Sequence, residues 1–187
     1  HGVEVVLDNN IQAFEGDTRV RSVATTRGRL DCDAVVVGVG VQPNDGLARS
    51  AGLRIDNGIV VDDRLRCSAP DVYAAGDAAR FPSLSGTLER VEHFDHAVSS
   101  GGLAGRNMAG GDERYQYVPF FLSDVFEFGF EVVGTVGPDS RIVTGELDSG
   151  SFILEYTREG RLVGSLLAAR SSEESAAYRE RLARVVK

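Results

Sequence analysis

The sequence contains only two cysteines, Cys32 and Cys67. They lie far apart and form neither a C-x-x-C nor a C-x-x-x-x-C pair. This spacing excludes a redox-active dithiol within the chain. Because free cysteine is among the most buried residue types, we expect both to be buried or half-buried thiols in a reducing, cytoplasmic compartment.

Long apolar runs and an excess of basic residues are also missing. No apolar run reaches the roughly 18–20 residues that span a bilayer, so we expect no membrane segment. The 28 acidic and 20 basic residues give a net charge of −8, which argues against nucleic acid and anionic membranes as partners. The 187 residues, 42% of them hydrophobic, suffice for one or two domains with a core.

The sequence also has no G-x-G-x-x-G fingerprint, with which dinucleotide-binding folds place a pyrophosphate at a helix N-terminus. The Gly38-Val39-Gly40 stretch lacks the third glycine, and Gly101, Gly102 and Gly105 fall inside a predicted helix. No signal peptide is visible, but the chain starts at His1 rather than methionine, so we expect further residues before it.

The most informative stretch is residues 69–110. Residues 72–75 are predicted to form a buried strand that ends at Gly76 and Asp77. Gly76 has no Cβ and allows close backbone approach. Asp77 would stand at the carboxyl end of the strand, where open α/β sheets bind ligands, and its carboxylate can accept hydrogen bonds from ligand hydroxyls. The alternative is a helix N-cap or a turn acid.

A helix is predicted to begin near residues 90–94. Its apolar pattern consists of Val91, Phe94, Val98 and Met108. Its three internal glycines each cost about 1 kcal/mol relative to alanine, which is tolerable if the helix packs closely on a backbone or a flat ligand. The first turn, Glu92-His93-Phe94, would direct unpaired N–H groups and a partial positive charge at an anion or a ring that becomes anionic.

Alternating and apolar runs predict strands at residues 3–7, 11–15, 20–26, 59–61 and 64–67. Residues 30–39 have a fully apolar centre that suits a strand buried on both faces. The following Gly40, Gln42 and Pro43 favour either close approach to a ligand or a tight turn before a helix at residues 45–51.

The region after a glycine stop at residues 109–112 is predicted to be an α+β module. It would consist of strands at 130–136, 141–147, 151–157 and 161–169, with a Glu159-Gly160 hairpin turn between the last two, and a helix at 172–186. Ser171 or Ser172, with Glu174, would cap that helix.

Two segments carry a family resemblance. APDVYAAGDAARF and RVEHFDHAVSSGGLAGRNMAG resemble the second flavin-binding segment of flavoprotein reductases with two dinucleotide folds, of the ferredoxin reductase and apoptosis-inducing factor type. The resemblance implies an α/β fold with parts of two dinucleotide-binding folds, followed by the α+β module. It implies the end of an NAD(P)-binding domain at 1–52, an FAD-binding segment at 53–114 and an interface or dimerisation domain at 115–187.

The resemblance also implies FAD and NAD(P)H as cofactors and assigns their contacts. Gly76 and Asp77 would meet the ribityl part of FAD, and Glu92, His93 and Phe94 would lie beside its isoalloxazine ring. The Gly40, Gln42 and Pro43 loop would face the nicotinamide.

The segment Pro119–Asp124 matches a P-x-F-W-S-D motif, but Leu122 replaces the tryptophan that the family places near the two rings. Leucine cannot stack as an aromatic does, so either Phe121 supplies the ring or electron transfer differs in detail. The alternative is that Phe120 and Phe121 are plain core residues.

The implied function is that of the C-terminal part of an FAD-dependent NAD(P)H oxidoreductase. Hydride would pass from nicotinamide to flavin, and electrons would leave to a ferredoxin-type iron–sulfur acceptor. No side chain needs to act as a nucleophile, because the cofactors carry the chemistry. We also expect a homo-oligomer. The alternatives are an NADH oxidase or peroxidase fragment and a non-catalytic dimerisation or interaction module.

Overall fold

The computed structural model describes residues 2–84, 86–137 and 139–185. The chain forms two compact units that divide between Val41 and Gln42. None of the helices in the described ranges is long and apolar enough to cross a membrane.

The first unit contains a three-stranded antiparallel sheet in the order β1-β2-β3. Its strands are β1 (Ile11–Gly16), β2 (Val20–Thr25) and β3 (Gly28–Asp31). Ser22, Val23 and Thr25 of the central strand are buried. Strands β1 and β2 confirm the predictions for residues 11–15 and 20–26, since alternation and turn residues are local signals.

Two other predictions for this unit are wrong. Residues 3–7 and 34–39 form no strand, and Val36 and Val39 are 99% and 81% exposed. A strand exists only when neighbours accept its hydrogen bonds, and a parallel strand also needs both faces covered. The described residues provide no neighbouring strand for these two segments.

The second unit begins with α1 (Gly46–Ser50) and a small mixed sheet of β4 (Ile59–Val60), β5 (Ala79–Pro82) and β6 (Leu88–Glu89). Strand β4 pairs with β5 in parallel, and β5 pairs with β6 in antiparallel. A turn with φ of 45° at Asn57 and 126° at Gly58 leads into β4. A one-turn 3-10 helix, Gly76–Ala78, comes directly before β5, so the position of β5 determines where Asp77 lies.

The predicted strands at residues 64–67 and 72–75 are wrong. These segments meet at a single bridge between Arg66 and Tyr73. They do not enter a sheet, and Val72 is 37% exposed. Short apolar runs form strands only where a partner strand of matching length lies beside them. Here the two segments are loops that pack against the core.

The central helix of the second unit is α2 (Phe94–Met108). Its buried side consists of His96, Ser100, Leu103, Ala104 and Asn107. The helix predicted to begin near residues 90–94 is confirmed, but its apolar residues Phe94, Val98 and Met108 are 86%, 60% and 65% exposed. Among the described residues, no backbone packs closely on Gly101 or Gly105, since no atom lies within 4 Å of a Cβ added at either position; close packing on a flat ligand stays a prediction. The glycine stop is confirmed, with Gly110 at φ 100° after the C-cap residue Ala109.

The C-terminal part is a five-stranded antiparallel sheet in the order β7-β8-β11-β10-β9. Its strands are β7 (Phe120–Val125), β8 (Phe128–Gly134), β9 (Asp139–Glu146), β10 (Ser151–Arg158) and β11 (Arg161–Ala168). Helix α3 (Ser172–Val185) packs on one face, where Leu182 meets Val133, Ile153, Leu162 and Leu167. The predicted α+β module is confirmed; residue 186 of the predicted helix lies outside the described residues.

A reciprocal cap begins α3. The backbone N–H of Ser171 donates to the Glu174 carboxylate at 3.0 Å, and the N–H of Glu174 donates to the Ser171 hydroxyl at 3.3 Å. This is a capping box, which satisfies two N–H groups that the helix start would leave unpaired. Of the two serines considered from the sequence, Ser171 is the one that caps.

Helix α3 also contacts both the C-terminal sheet and the start of α2, through Arg179. The Arg179 guanidinium lies 4.7 Å above the Phe120 ring and donates to the Asp95 carboxylate at 3.2 Å. A guanidinium over an aromatic face gains cation–π attraction in addition to the ion pair. Arg179 therefore holds the beginning of β7 beside the first turn of α2.

Glu155, a buried carboxylate on β10, also stabilises the position of α3. Its side chain is 4% exposed and accepts hydrogen bonds from Arg141, Arg181 and Tyr178 at 3.1, 2.5 and 3.1 Å. Burial by itself raises the pKa of Glu155, but these bonds, led by that from Arg181, lower it below its usual value of 4.5 overall. The carboxylate therefore stays ionised in the fold.

Glu155→Gln should reduce the free energy of unfolding by about 1.5–3 kcal/mol at pH 7, because charge-assisted hydrogen bonds are lost. Since the native pKa is lowered, the contribution of Glu155 is present above pH 4.5 and is lost as the pH falls through the native pKa. Urea unfolding from pH 7 to pH 3 measures this, with exposed Glu146→Gln on the neighbouring strand as the control. A difference between wild type and Glu155→Gln that stays constant down to pH 3 would contradict the assignment.

Candidate functional site

A cleft of about 550 Å³ lies between the start of α2 and strand β7. It is lined by Glu92, His93, Phe94, Asp95, Phe120, Phe121 and Leu122. Four of the predicted site residues therefore come together, although Leu122 lies in a different part of the sequence from the other three. The contact between Arg179 and Asp95 holds the two walls of this cleft in place.

His93 is the N-cap residue of α2, and its side chain makes no capping hydrogen bond. Its ring lies 4.9 Å from that of Phe121, at an angle of 56°. The Nδ1 atom is buried and has no hydrogen-bond partner among the described residues. Burial lowers the pKa of His93 and outweighs the opposing effect of Asp77, Asp95 and Glu92, so the ring is neutral near pH 7.

The two phenylalanines of β7 have different surroundings. Phe120 packs under Arg179 and against the core of the C-terminal sheet, whereas Phe121 contacts His93. Side chains of successive strand residues point to opposite faces, which explains the difference. Leu122 is 60% exposed at the cleft, and Phe121 is the aromatic ring of this segment that meets His93.

Gly76 and Asp77 lie in the 3-10 helix beside α2. Gly76 has a φ of +67°, and a Cβ there would lie 3.6 Å from Ala97, an ordinary contact. The left-handed backbone conformation favours glycine by itself, and close approach of a ligand to Gly76 stays a prediction. Asp77 is exposed, and among the described residues no group pairs with its carboxylate.

Arg90 connects Asp77 to the cleft. Its Nη1 donates to the Asp77 carbonyl at 3.1 Å and pairs with the Glu92 carboxylate at 2.6 Å. The side chain is only 10% exposed and passes under Gly58, where an added Cβ would lie 2.9 Å from the Arg90 Cδ. Arg90 therefore sets the positions of Asp77 and Glu92 relative to each other.

The remaining predicted residues lie elsewhere. Gln42 and Pro43 belong to the second unit but do not line the cleft. Gly40 belongs to the first unit, is exposed, and has a φ of +85°. Their assignment to the nicotinamide stays a prediction.

Sequence reasoning missed Arg90, His96, Ser100 and Arg179. His96 and Ser100 are four residues apart on α2 and lie on the face opposite Phe94 and Val98, so a helical projection could have grouped them. No local signal could have indicated that Arg179 meets Asp95, because the two residues are 84 positions apart.

Comparison with known proteins identifies the family to which the chain belongs. A family model described as pyridine nucleotide-disulphide oxidoreductase matches residues 1–101, more than half of the chain. The chain belongs to this family. Despite the family name, Cys32 and Cys67 are both free.

Rhodocoxin reductase of Rhodococcus erythropolis is 37% identical over 88% of this chain and 39% of its own length. Monodehydroascorbate reductase of Pisum sativum is 35% identical over 94% of this chain and 43% of its own length. Among solved structures, a covalent putidaredoxin reductase–putidaredoxin complex matches with a TM-score of 0.83 and 30% identity, covering 91% of this chain and 42% of the matched chain. The chain spans about two fifths of the length of these relatives.

The described residues are compatible with binding part of the FAD that this family implies, and their assignment to its isoalloxazine and ribityl parts stays a prediction. In the described part of the chain, the Asp77 carboxylate has no protein partner and α2 begins without a side-chain cap. Each of these groups is one that a polar ligand could satisfy. The fit concerns only this part of the cofactor, because the chain has no fingerprint for a pyrophosphate.

Proposed function

We propose that this chain is the C-terminal part of an FAD-dependent NAD(P)H oxidoreductase that passes electrons to a ferredoxin-type iron–sulfur protein. The observation that carries the proposal is that the chain has both a carboxylate without a partner among the described residues, that of Asp77, and a cleft at the uncapped start of α2. The names of the relatives, rhodocoxin reductase and putidaredoxin reductase, support the choice of acceptor.

FAD, when bound, would supply the hydride and one-electron chemistry. The chain's own residues would bind and orient it. Asp77 would accept hydrogen bonds from the ribityl hydroxyls, and the first N–H groups of α2 would bring a partial positive charge to the ring. His93, kept neutral by burial, would form one wall with Phe121 and exclude water from the ring edge.

We propose the same division of roles along the chain that the resemblance implies. Residues 1–52 would complete an NAD(P)-binding domain, with Gly40, Gln42 and Pro43 facing the nicotinamide. Residues 53–114 would belong to the FAD-binding domain and 115–187 to the interface domain. Free cysteines are typical of a reducing compartment, which supports a cytoplasmic location.

A test of this function separates flavin chemistry from thiol chemistry. The full-length protein should contain FAD and should reduce a ferredoxin, or ferricyanide in its place, with NADH or NADPH. Cys32→Ser combined with Cys67→Ser should change turnover by no more than about twofold, because both cysteines are free and the cofactors carry the reaction.

The control is the melting temperature of the double variant, since Cys67 packs against the core and its replacement costs stability. Turnover is therefore measured well below that temperature. Loss of most NAD(P)H-dependent activity in a folded, FAD-containing double variant would replace the proposed mechanism with a thiol mechanism, such as that of a peroxidase.

A further inference from the structure

The backbone of Gly76 is held on both sides by helix α2. Its N–H donates to the Ser100 hydroxyl at 2.9 Å, and its carbonyl lies 3.3 Å from the His96 Nε2. His96 and Ser100 are one turn apart and are both fully buried. Two neighbouring side chains of one helix therefore bind the two successive peptide groups that flank the Gly76 Cα, directly before Asp77.

The partners of His96 determine which of its nitrogens carries the proton. A backbone carbonyl only accepts hydrogen bonds, so Nε2 must be protonated to bond Gly76. Burial, the main cause, lowers the pKa of His96, so the ring is neutral and Nδ1 accepts the hydrogen bond of the Tyr115 hydroxyl at 2.8 Å. Burial also raises the pKa of Tyr115 to about 12, which keeps this hydroxyl protonated.

The packing around His96 prevents the ring from turning. It stacks on Phe81 with a centroid distance of 4.8 Å and an angle of 20°. Tyr115 and Tyr117 stack on each other, and both lie against the imidazole. The donor on Nε2 is therefore fixed in direction as well as in protonation.

We propose that His96 and Ser100 are positioning residues that hold the left-handed Gly76 peptide and thereby present the Asp77 carboxylate to the ribityl hydroxyls of FAD. This inference rests on the proposed function. The backbone bonds of residues 76 and 77 are taken by His96, Ser100 and Arg90, whereas the Asp77 carboxylate has no partner among the described residues. An anchored backbone that carries a free carboxylate is pre-organised for a ligand.

The first test compares two adjacent serines of α2 in the full-length protein. Ser100→Ala removes the acceptor of the Gly76 N–H, whereas the Ser99 hydroxyl bonds the Asp95 carbonyl and Tyr115 but not Gly76. We expect Ser100→Ala to raise the dissociation constant of FAD about three- to tenfold, the worth of one hydrogen bond. Ser99→Ala should leave it within about twofold.

A second readout does not involve FAD. In the flavin-free protein, the Gly76 amide should exchange its hydrogen faster in Ser100→Ala than in wild type or Ser99→Ala, because only the first variant removes its acceptor. If Ser100 only stabilised the fold, Ser100→Ala would lower the free energy of unfolding without this faster exchange at the Gly76 amide.

His96→Gln and His96→Leu test the other anchor. The glutamine amide can still donate to the Gly76 carbonyl, so His96→Gln should retain FAD better than His96→Leu by about three- to tenfold. Tyr115→Phe, which removes the hydrogen bond to Nδ1, should raise the dissociation constant of FAD less than His96→Leu does, because Nε2 can still donate to the Gly76 carbonyl.

The outcomes distinguish this inference from the proposed function. A wild-type protein that binds no FAD contradicts the proposed function. If the wild type binds FAD and both Ser100→Ala and His96→Leu bind it equally tightly, only the positioning role is contradicted. If His96→Leu does not fold, the two serine variants decide, and equal FAD affinity in Ser99→Ala and Ser100→Ala overturns the inference.

Discussion

Asp77→Ala in the full-length protein should raise the dissociation constant of FAD by about ten- to a hundredfold and yield a partly or fully colourless preparation. A carboxylate that accepts hydrogen bonds from ligand hydroxyls is worth about 1.5–3 kcal/mol, and each 1.4 kcal/mol corresponds to a factor of ten. The fold should be unaffected, because Asp77 is exposed and its carboxylate pairs with nothing in the described part of the chain. The measurements are the ratio of flavin to protein absorbance after purification and a titration of the flavin-free protein.

The C-terminal part offers a matched control for this variant. Asp148 is the middle residue of another three-residue 3-10 helix, Leu147–Ser149, and is exposed like Asp77. Asp148→Ala should leave FAD binding unchanged, so an effect specific to Asp77 separates ligand binding from local helix stability. An unchanged absorbance ratio and an unchanged dissociation constant in Asp77→Ala would remove Asp77 from the site.

The 187-residue chain by itself should purify without flavin, oxidise no NAD(P)H and self-associate. It has Asp77 and the start of α2 but no G-x-G-x-x-G fingerprint to bind a pyrophosphate, which normally meets the first N–H groups of a helix. Loss of the pyrophosphate and adenosine contacts removes most of the binding free energy. Absorbance in the flavin bands and an NAD(P)H oxidation assay measure the first two properties.

Self-association is expected from apolar surface in both units. Val36 and Val39 are almost fully exposed, and Phe94, Val98 and Met108 are exposed along one side of α2. Contiguous apolar patches of this kind are uncommon on monomeric proteins. Light scattering over a range of concentrations should show association, and Val98→Gln should reduce it. A yellow preparation, or a monodisperse monomer at high concentration, would contradict this prediction.

The features that could be predicted from the sequence are those with local causes. The Asn57-Gly58 and Glu159-Gly160 turns, the glycine stop after Met108 and the capping box at Ser171 depend on a few adjacent residues. Four of the five strands of the C-terminal sheet, β8 to β11, could be predicted, because alternating polar and apolar residues indicate a sheet with one covered face.

The errors come from segments whose structure depends on distant partners. Residues 34–39 and 72–75 have the composition of buried strands, but no described strand pairs along them. On α2, hydrophobicity suggested that Phe94 and Val98 are buried, yet the buried face contains His96 and Ser100. These polar residues are buried because each finds a hydrogen-bond partner outside the helix.

The sequence by itself determined the family, the position of Asp77 after Gly76, and the helix start at His93 that brings N–H groups to a ligand. These follow from residue type and spacing over a few positions. Only the tertiary structure decided that Phe121 contacts His93, that Leu122 lines the same cleft, that Arg90 joins Asp77 to Glu92, and that Arg179 holds the two walls of the cleft together. These contacts join distant segments or depend on side-chain direction, and packing selects them from many combinations that the sequence pattern allows equally.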